Sequence, residues 1–436
     1  MKLNATRITP VVSRVLVIAL LTLSAWESAW AGEKVLVNFN GTKGKSPTAS
    51  LIADAAGNLY GVTATGGEGC SPNPGCGVVF KLTSTSGRWA EKVLHTFTGG
   101  NDGAYPTSLI IDSEGNLYGT TVFGGGRGGP NCSAVGCGIV FRLTPAASGS
   151  WPEKVLYRFS GGDGALPNAL AFDVHGNLFG TTLDCGGGSS CGGGNTFCNL
   201  GGCGVLFELE PTSSGPWKFT AIHTFLDVST DGQGPQGLVF DAAGAIYVLT
   251  TDGGSSGWGA ILQFVPGATG WSSTLIHSFG INGDGIYPAA GLIIDAGGNL
   301  YGTTWLDGAP SGQGMVFQLS PGANGAWTEN ILYNFGCCVD GKQPETLLAF
   351  DAAGNLYGTT VEGGGTGSKC SDGCGTVFKL TRSSSFPWPE TLAIRFVGTN
   401  GARPAGGLVL NADGHLYGTA PVGGTANDGI VFELTP

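Results

Sequence analysis

A small set of aromatic and acidic residues interrupts an otherwise regular tandem repeat. Trp258 and Trp305 lie in glycine-rich loops where most other copies of the repeat carry glycine or small residues. Four successive copies also carry a carboxylate after the same strand, at Asp184, Asp252, Asp307 and Glu362. Aromatic faces stack on the C–H groups of sugar rings, and carboxylates accept hydrogen bonds from hydroxyls. These residues therefore indicate a non-catalytic binding surface for extracellular glycan or a protein partner.

A seventh candidate, Asp340, follows the adjacent residues Cys337 and Cys338. If these two cysteines bond to each other, their Cα atoms lie about 3.8 Å apart. That separation is below the usual disulfide range of roughly 4.4–6.8 Å. We expect such a ring to stiffen the loop that leads to Asp340.

Two other interpretations of the same residues remain open. The carboxylates would serve as acid and base in a polysaccharide-active hydrolase or lyase if they were suitably spaced. Alternatively, the chain is a purely structural repeat and its irregular loops reflect drift. No catalytic residue and no cofactor are assigned, and a Ca²⁺ site at the Asp-Gly loops competes with their ordinary role as turn residues.

The repeat is built around stretches such as residues 112–121, Asp-Ser-Glu-Gly-Asn-Leu-Tyr-Gly-Thr-Thr. The leucine or isoleucine of this stretch recurs at Leu59, Leu117, Leu178, Ile246, Leu300, Leu356 and Leu416. In the unit that starts at Pro106, apolar and alternating runs predict strands at 108–112, 116–122, 138–144 and 153–159. Seven units of four short antiparallel strands favour a β-propeller over a solenoid.

The two ends of the chain complement each other. The chain finishes on a third strand, residues 429–435, and residues 33–39 resemble the fourth strand at 91–97. We therefore predict one all-β, seven-bladed propeller over residues 32–436, closed when the N-terminal strand completes the last blade. In such blades the second-to-third loops and the Asp-Gly-x-x-Pro loops between blades emerge on one face, where function is expected.

Residue types that recur at one position in most units are assigned to building the blade. The aspartates before the hairpin turns are expected to cap those turns; they are Asp54, Asp112, Asp173, Asp241, Asp295 and Asp351. The same reasoning covers the tryptophans before the fourth strands and His95, His223 and His277, which share one fourth-strand position. No catalytic triad and no metal-binding histidine pair is predicted.

Residues 1–31 have the pattern of a cleaved secretory signal. A basic start precedes an apolar run at 15–23, and Ala29-Trp30-Ala31 predicts a cut after Ala31. The run is shorter than the roughly 20 residues of a membrane span, and no later segment is predicted to span. We expect a secreted or periplasmic monomer. The net charge of −11 argues against nucleic acid or anionic membranes as partners.

The twelve cysteines fall into close, even groups, which predicts local disulfides in an oxidising compartment. The groups are Cys70 with Cys76, Cys132 with Cys137, Cys337 with Cys338, Cys370 with Cys374, and the foursome Cys185, Cys191, Cys198 and Cys203. The pairing within the foursome is left open by the sequence.

The series Gly-Asn-Leu-Tyr-Gly-Thr-Thr, Gly-Gly and Val-Phe-x-Leu-Thr-Pro resembles the bacterial extracellular tandem repeats called GloVer repeats, across essentially the whole mature chain. The Asp-x-x-Gly-Asn-Leu-Tyr hairpin alone is similar to NHL-type propeller repeats. The resemblance implies an exported β-propeller of unassigned activity, with no catalytic residues to carry over. Many family members carry a C-terminal anchoring segment; this chain ends at Pro436 inside its last blade, so the resemblance leaves both surface anchoring and release open.

Overall fold

The computed structural model describes residues 32–70, 75–126, 132, 135–186, 203–213, 216–226, 229–281, 283–306, 312–336, 339–365 and 370–435. These residues form seven antiparallel sheets of four strands each. The first strands of neighbouring blades contact one another and lie innermost, around the central channel. The seven-bladed β-propeller predicted from the repeat is thereby confirmed.

The strands follow one another in chain order, and each blade runs from its innermost to its outermost strand. The chain enters through β1 (Gly32–Asn38). Blade one comprises β2 (Ile52–Ala53), β3 (Leu59–Thr63), β4 (Val78–Thr85) and β5 (Arg88–Thr96). Blade two comprises β6 (Ala104–Ile111), β7 (Leu117–Phe123), β8 (Ile139–Leu143) and β9 (Glu153–Arg158). Blade three comprises β10 (Ala165–Phe172), β11 (Leu178–Asp184), β12 (Val205–Glu210) and β13 (Lys218–Thr224).

The remaining blades repeat this order. Blade four comprises β14 (Gly232–Phe240), β15 (Ile246–Gly253), β16 (Ala260–Gly267) and β17 (Gly270–Ser278). Blade five comprises β18 (Ile286–Ile294), β19 (Leu300–Leu306), β20 (Met315–Pro321) and β21 (Trp327–Asn334), with a 3-10 turn at Ala323–Gly325. Blade six comprises β22 (Ala349–Phe350), β23 (Leu356–Thr360), β24 (Thr376–Leu380) and β25 (Glu390–Arg395). Blade seven comprises β26 (Val409–Leu410), β27 (Leu416–Ala420), β28 (Ile430–Thr435) and β1.

The N-terminal strand closes the ring as predicted. Strand β1 pairs antiparallel with β28, with Glu33 opposite Leu434 and Lys34 opposite Glu433. Because β1 is the outermost strand of a sheet whose other three strands come from the C-terminus, the two ends of the described chain are joined by a full ladder. Closure removes the exposed seam that an open ring would present.

The first strand of blade two begins earlier than the predicted 108–112. Ala104 pairs with Phe123 and Pro106 with Thr121, and a bulge follows before Ser108 pairs with Thr120. The residues before Pro106 therefore belong to the sheet, because a bulge lets the strand continue past the proline towards the loops.

A glycine–proline contact joins every pair of neighbouring blades. The glycine before each third strand has a positive φ, and a Cβ there would lie 2.4–2.7 Å from the proline ring of the next blade. These glycines are Gly77, Gly138, Gly204, Gly259, Gly314, Gly375 and Gly429. Only glycine permits both the backbone conformation and the close approach.

A second repeated contact packs the blades at their outer part. The tryptophan at the start of a fourth strand, or just before it, packs against an aromatic ring on the second strand of the preceding blade, with centroids 5.7–6.4 Å apart. The pairs are Trp89–Tyr417, Trp151–Tyr60, Trp217–Tyr118, Trp271–Phe179, Trp327–Tyr247 and Trp388–Tyr301. The predicted blade-packing role of these tryptophans is confirmed.

Within a blade, the second and third strands meet through a glycine and a phenylalanine. Gly302 faces Phe317 in blade five, and a Cβ on Gly302 would lie 2.6 Å from the ring. Blade four differs at both positions, because Val248 there faces Leu262. A larger residue on the second strand is therefore matched by a smaller one on the third strand, as close packing requires.

The hairpin aspartates cap their turns, as predicted. Asp295 accepts hydrogen bonds from the backbone N–H of Gly297 and Asn299, from the Asn299 amide and from the Tyr301 hydroxyl, at 2.8–3.1 Å. Asp54, Asp112 and Asp351 repeat this set of partners. The carboxylate thus ties the turn to the second strand.

We expect Asp295→Ala to lower the free energy of unfolding by about 2 kcal/mol, because it leaves several polar groups without their partner. Asp295→Asn should cost less than half as much, since Asn411 already caps the blade-seven turn through the N–H groups of Asp413 and His415. Chemical denaturation of both variants measures the difference. Equal losses for Asn and Ala would contradict this assignment.

The loop face carries the disulfides and the backbone contacts that hold its loops together. The N–H of Gly125, in a second-to-third loop, donates to the carbonyl of Gly100 in the loop between blades. Three predicted disulfides are present, Cys70–Cys76, Cys132–Cys137 and Cys370–Cys374, with Cα separations of 5.3–5.5 Å. Cys185 and Cys203 are also disulfide-bonded; Cys191, Cys198, Cys337 and Cys338 lie outside the described residues.

Candidate functional site

A concave depression opens on the loop face between blades four and six, where the first strands approach the channel. Its volume is about 390 Å³, within the range of small-molecule sites. Blade four contributes Gln236, Thr251 and Asp252, blade five contributes residues 287–290 and Trp305, and blade six contributes Glu345. We call it the channel-mouth site.

Tyr287 occupies a position that has the same unusual backbone conformation in all seven blades. The residue before the proline of each Gly-x-x-Pro loop between blades has a φ of 54–61°. These residues are Ser46, Tyr105, Leu166, Gly234, Tyr287, Gln343 and Arg403. Non-glycine residues with positive φ are uncommon and concentrate at functional sites.

Hydrogen bonds between blades hold this ring of positions in place. Each backbone N–H donates to a carbonyl of the preceding blade, at 2.8–3.1 Å, as from Tyr287 to Trp258 and from Ser46 to Asp428 across the closure. Sequence reasoning missed this ring, although a signal was present. The proline is constant, whereas the residue before it is a different type in almost every unit.

The two predicted tryptophans have different surroundings. Trp305 lines the channel-mouth site, and its side chain is 37% exposed. Trp258 is 40% exposed but lies behind Tyr287, whose ring is 5.1 Å from that of Trp258 and 6.1 Å from that of Trp305. The three rings form one aromatic cluster, and Tyr287 and Trp305 face the depression.

Trp258 takes the place that a disulfide occupies in other blades. It stands directly before the third-strand glycine, where blades one, two, three and six carry Cys76, Cys137, Cys203 and Cys374. A Cβ on Gly280 would meet Trp258, just as one on Gly99 would meet the sulfur of Cys76. The indole therefore fills the loop base of blade four.

Two carboxylates lie in the channel-mouth site. Burial raises the pKa of the Asp252 carboxyl. Burial, together with the nearby Glu362 carboxylate, raises the pKa of Glu345, and Arg403 counteracts part of that effect. Glu345 was not a sequence candidate, because it directly follows a loop proline rather than lying in the second-to-third loops.

The other predicted acids are engaged elsewhere. Glu362 pairs with Lys342 at 2.9 Å and with Arg403 at 2.8 Å. Asp184 is buried at the end of β11 and accepts the N–H of Cys185 at 2.8 Å, and burial raises its pKa. Asp340 accepts the N–H of Gly336 and the hydroxyl of Tyr333, both at 2.9 Å. Asp307 lies outside the described residues. Of the seven candidates, the structure brings Asp252 and Trp305 together, with Trp258 adjacent.

The Asp-Gly aspartates act within their own loops. Each accepts a backbone N–H from the end of the preceding strand or the start of the loop, as Asp102 does from Thr98 and Asp231 from Leu226, at 2.9–3.0 Å. This is turn chemistry. Each of these aspartates lies in a different loop between blades.

Fold and site together define a disulfide-bearing seven-bladed propeller with an aromatic and acidic depression at its channel. Residues 22–197 and 188–432 match the model of the Gloeobacter/Verrucomicrobia repeat. The chain belongs to that repeat family. Comparison with curated protein sequences gave no match.

Solved structures share the architecture at low sequence identity. The extracellular domain of the putative one component system BT4673 from B. thetaiotaomicron aligns with a TM-score of 0.54 and 11% identity, over 92% of this chain and 40% of that chain. PorZ, a surface component of the type-IX secretion system of Porphyromonas gingivalis, aligns with a TM-score of 0.51 and 16% identity, over 92% of this chain and 48% of that chain. The chain spans less than half of either length, and the likeness concerns the fold alone. Among the described residues, none forms a helix of the length and hydropathy that a membrane crossing requires.

Proposed function

We propose that the protein is a non-catalytic carbohydrate-binding propeller whose ligand lies in the channel-mouth site. The observation that carries this proposal is the exposed Trp305 beside Tyr287 in a depression that also contains Asp252 and Glu345. A sugar ring needs an apolar face for its C–H groups and fixed polar groups for its hydroxyls. Trp305 supplies the first requirement, and Gln236, Thr251 and the two carboxylates supply the second.

The charge of the site favours neutral or amino sugars over uronic acids and sulfated sugars. Asp252 and Glu345 line the depression, and no lysine or arginine is among the residues lining it in the described chain. The nearby cations Lys342 and Arg403 are paired with Glu362. An anionic sugar would therefore meet carboxylates without a compensating charge, which costs affinity.

A glycan array followed by calorimetry on the oligosaccharide that binds tests the proposal. We expect Trp305→Ala to weaken binding by about 2 kcal/mol, roughly thirtyfold, because it removes the stacking face. Trp258→Ala should have a smaller effect, since that ring acts through Tyr287. Phe386→Ala is the control, because Phe386 is an exposed aromatic residue that does not line the channel-mouth site. Affinity unchanged in Trp305→Ala would overturn the site.

One observation favours a second function, hydrolysis of a polysaccharide. Asp252 and Glu345 lie in one depression, and burial raises the pKa of both. A general acid needs a raised pKa, so the two carboxyls are candidates for the acid and base of a glycosidase. Release of reducing sugar by the wild type and its loss in Glu345→Gln would support this alternative. Binding without turnover across the array supports the first function.

We also infer that the chain is exported. The three described disulfides fit an oxidising compartment, and the extracellular domain and the surface component that share the fold are consistent with it. A signal peptide at residues 1–31, cleaved after Ala31, would release a monomeric propeller of residues 32–436. N-terminal sequencing and the sedimentation mass of the exported protein test both points.

A further inference from the structure

A second group of polar residues repeats along the outer boundaries between blades. At each boundary, a residue near the end of one fourth strand faces the aspartate of the next Asp-Gly loop and the start of the following fourth strand. We call this arrangement the outer seat. The seats after blades one to five contain Asp102, Asp163, Asp231, Asp284 and Asp340.

Most outer seats are closed by a direct hydrogen bond. The Tyr333 hydroxyl donates to Asp340 at 2.9 Å, and Tyr157 donates to Asp163 in the same way. In the seat after blade three, His223 Nε2 lies 3.0 and 3.1 Å from the two oxygens of Asp231. The third position of that seat is Ser273, which brings no charge.

The seat between blades four and five is open. There Glu329 takes the position of the serine, and His277 Nε2 lies 3.4 Å from Asp284 Oδ2 and 3.8 Å from Glu329 Oε1. All three ligand atoms lie within 4.8 Å of one another. His277 Nε2 and Glu329 Oε1 are buried, and neither has a hydrogen-bond partner within the described part of the chain.

The spacing of these atoms is close to that in the coordination shell of a small cation: the 3.4 Å separation from Asp284 lies within the range expected for Zn²⁺, and the 3.8 Å separation from Glu329 lies slightly above it. Ligand atoms about 2.0–2.2 Å from a tetrahedral Zn²⁺ lie about 3.3–3.6 Å apart. One imidazole nitrogen with two carboxylate oxygens suits Zn²⁺ and similar transition-metal ions better than Ca²⁺, which takes oxygen ligands.

The residues around this seat orient the Asp284 carboxylate and leave the seat open to solvent. The other oxygen of Asp284 accepts the N–H groups of Gly280 and Ile281 at 2.8 and 2.7 Å, which fixes the carboxylate. The seat lies in an outer groove of about 650 Å³, lined also by Trp327 and Phe386. The groove leaves room for a water or another ligand at a fourth coordination position.

We propose that His277, Asp284 and Glu329 bind a divalent transition-metal ion of the Zn²⁺ class between blades four and five. The seat after blade one has the same residue types, His95, Asp102 and Glu153, with His95 Nε2 3.8 Å from Asp102. Among the described residues, however, only the seat between blades four and five brings three ligand atoms within 4.8 Å of one another. One ion per chain is therefore expected.

The test uses the untagged chain, stripped with EDTA in non-reducing buffer and titrated with Zn²⁺ by calorimetry and with Co²⁺ by visible absorption. We expect one equivalent, visible bands of four-coordinate Co²⁺, a raised Tm with zinc, and weaker binding at acidic pH because protons compete for the ligands. Glu329→Ser copies the closed seat of His223 and should weaken binding by more than about tenfold, with Glu329→Gln as a second variant.

Glu153→Ser is the matched control, since it makes the same change in the seat after blade one and should leave the affinity unchanged. Three outcomes would overturn the proposal: no saturable heat with Zn²⁺, equal affinity in wild type and Glu329→Ser, or loss of binding in Glu153→Ser alone. None of these bears on carbohydrate binding at the channel-mouth site, because the two sites share no residue.

Discussion

Gly302→Val is expected to lower the free energy of unfolding by about 3 kcal/mol, because it forces a side chain into a filled core. The Cβ would lie 2.6 Å from the tip of Phe317, and Leu292 is 3.1 Å away on another side. Neither the phenylalanine, which is fully buried, nor the second strand can move without disturbing the adjacent blade. Urea denaturation measures the loss as a shift in midpoint at constant slope.

The chain itself supplies the compensating substitution. Blade four has Val248 facing Leu262 where blade five has Gly302 facing Phe317. We therefore expect Phe317→Leu to reduce the cost of Gly302→Val to below about 1 kcal/mol, a coupling of about 2 kcal/mol. The reciprocal change in blade four, Val248→Gly with Leu262→Phe, is the control and should be tolerated as a pair. Additive losses in either double variant would contradict the volume exchange.

The architecture could be predicted because the repeat expresses it seven times. Turn aspartates, glycines and alternating strands are local signals, and the phase of the two ends determined how the ring closes. The structure adds why those residue types are fixed. Gly259, for example, leaves room for the ring of Pro288 from the next blade, because a Cβ at Gly259 would lie only 2.4 Å from that ring. No single repeat contains this contact.

The site was predictable only in part, because its residues come from three blades. Trp305 and Asp252 stood out by breaking the repeat, and the structure brings them together. Glu345 and Tyr287 each lie next to a proline that recurs in every unit. The sequence shows that these positions vary from unit to unit, but it does not show that they line the channel. The direction of a side chain after a bulge depends on the pairing of the strands rather than on sequence spacing.

Glu362 was predicted as a site residue, but the structure places it in ion pairs outside the site. It occupies the same position of the repeat as Asp252, yet Lys342 and Arg403 hold it in ion pairs at 2.9 and 2.8 Å. Those partners come from the loop that leads into blade six and from the loop that leads into blade seven. A carboxylate that is free to bind a ligand and one that stabilises the rim cannot be distinguished before the cations around them are placed.

The outer seat after blade one gives the stability of the protein a pH dependence, and Glu153→Gln should remove that contribution. Burial and the Asp102 carboxylate raise the pKa of Glu153 to about 8 from 4.5, although Arg158 opposes them. Between these pH values the folded protein holds a proton that the unfolded chain has lost, so stability falls as the pH rises from about 4.5 to about 8. Below that window both states are protonated and the group contributes nothing.

We expect Glu153→Gln to raise the free energy of unfolding at pH 9 by about 2 kcal/mol after solvent screening, and to leave it unchanged at pH 4. Glutamine keeps the shape of the side chain but cannot ionise, so the variant does not pay for burying a charge. Urea unfolding at a series of pH values in EDTA measures the effect, with Glu68→Gln as the control because Glu68 is exposed. An equal gain at pH 4 and pH 9 would show that packing, rather than ionisation, separates the variant from the wild type.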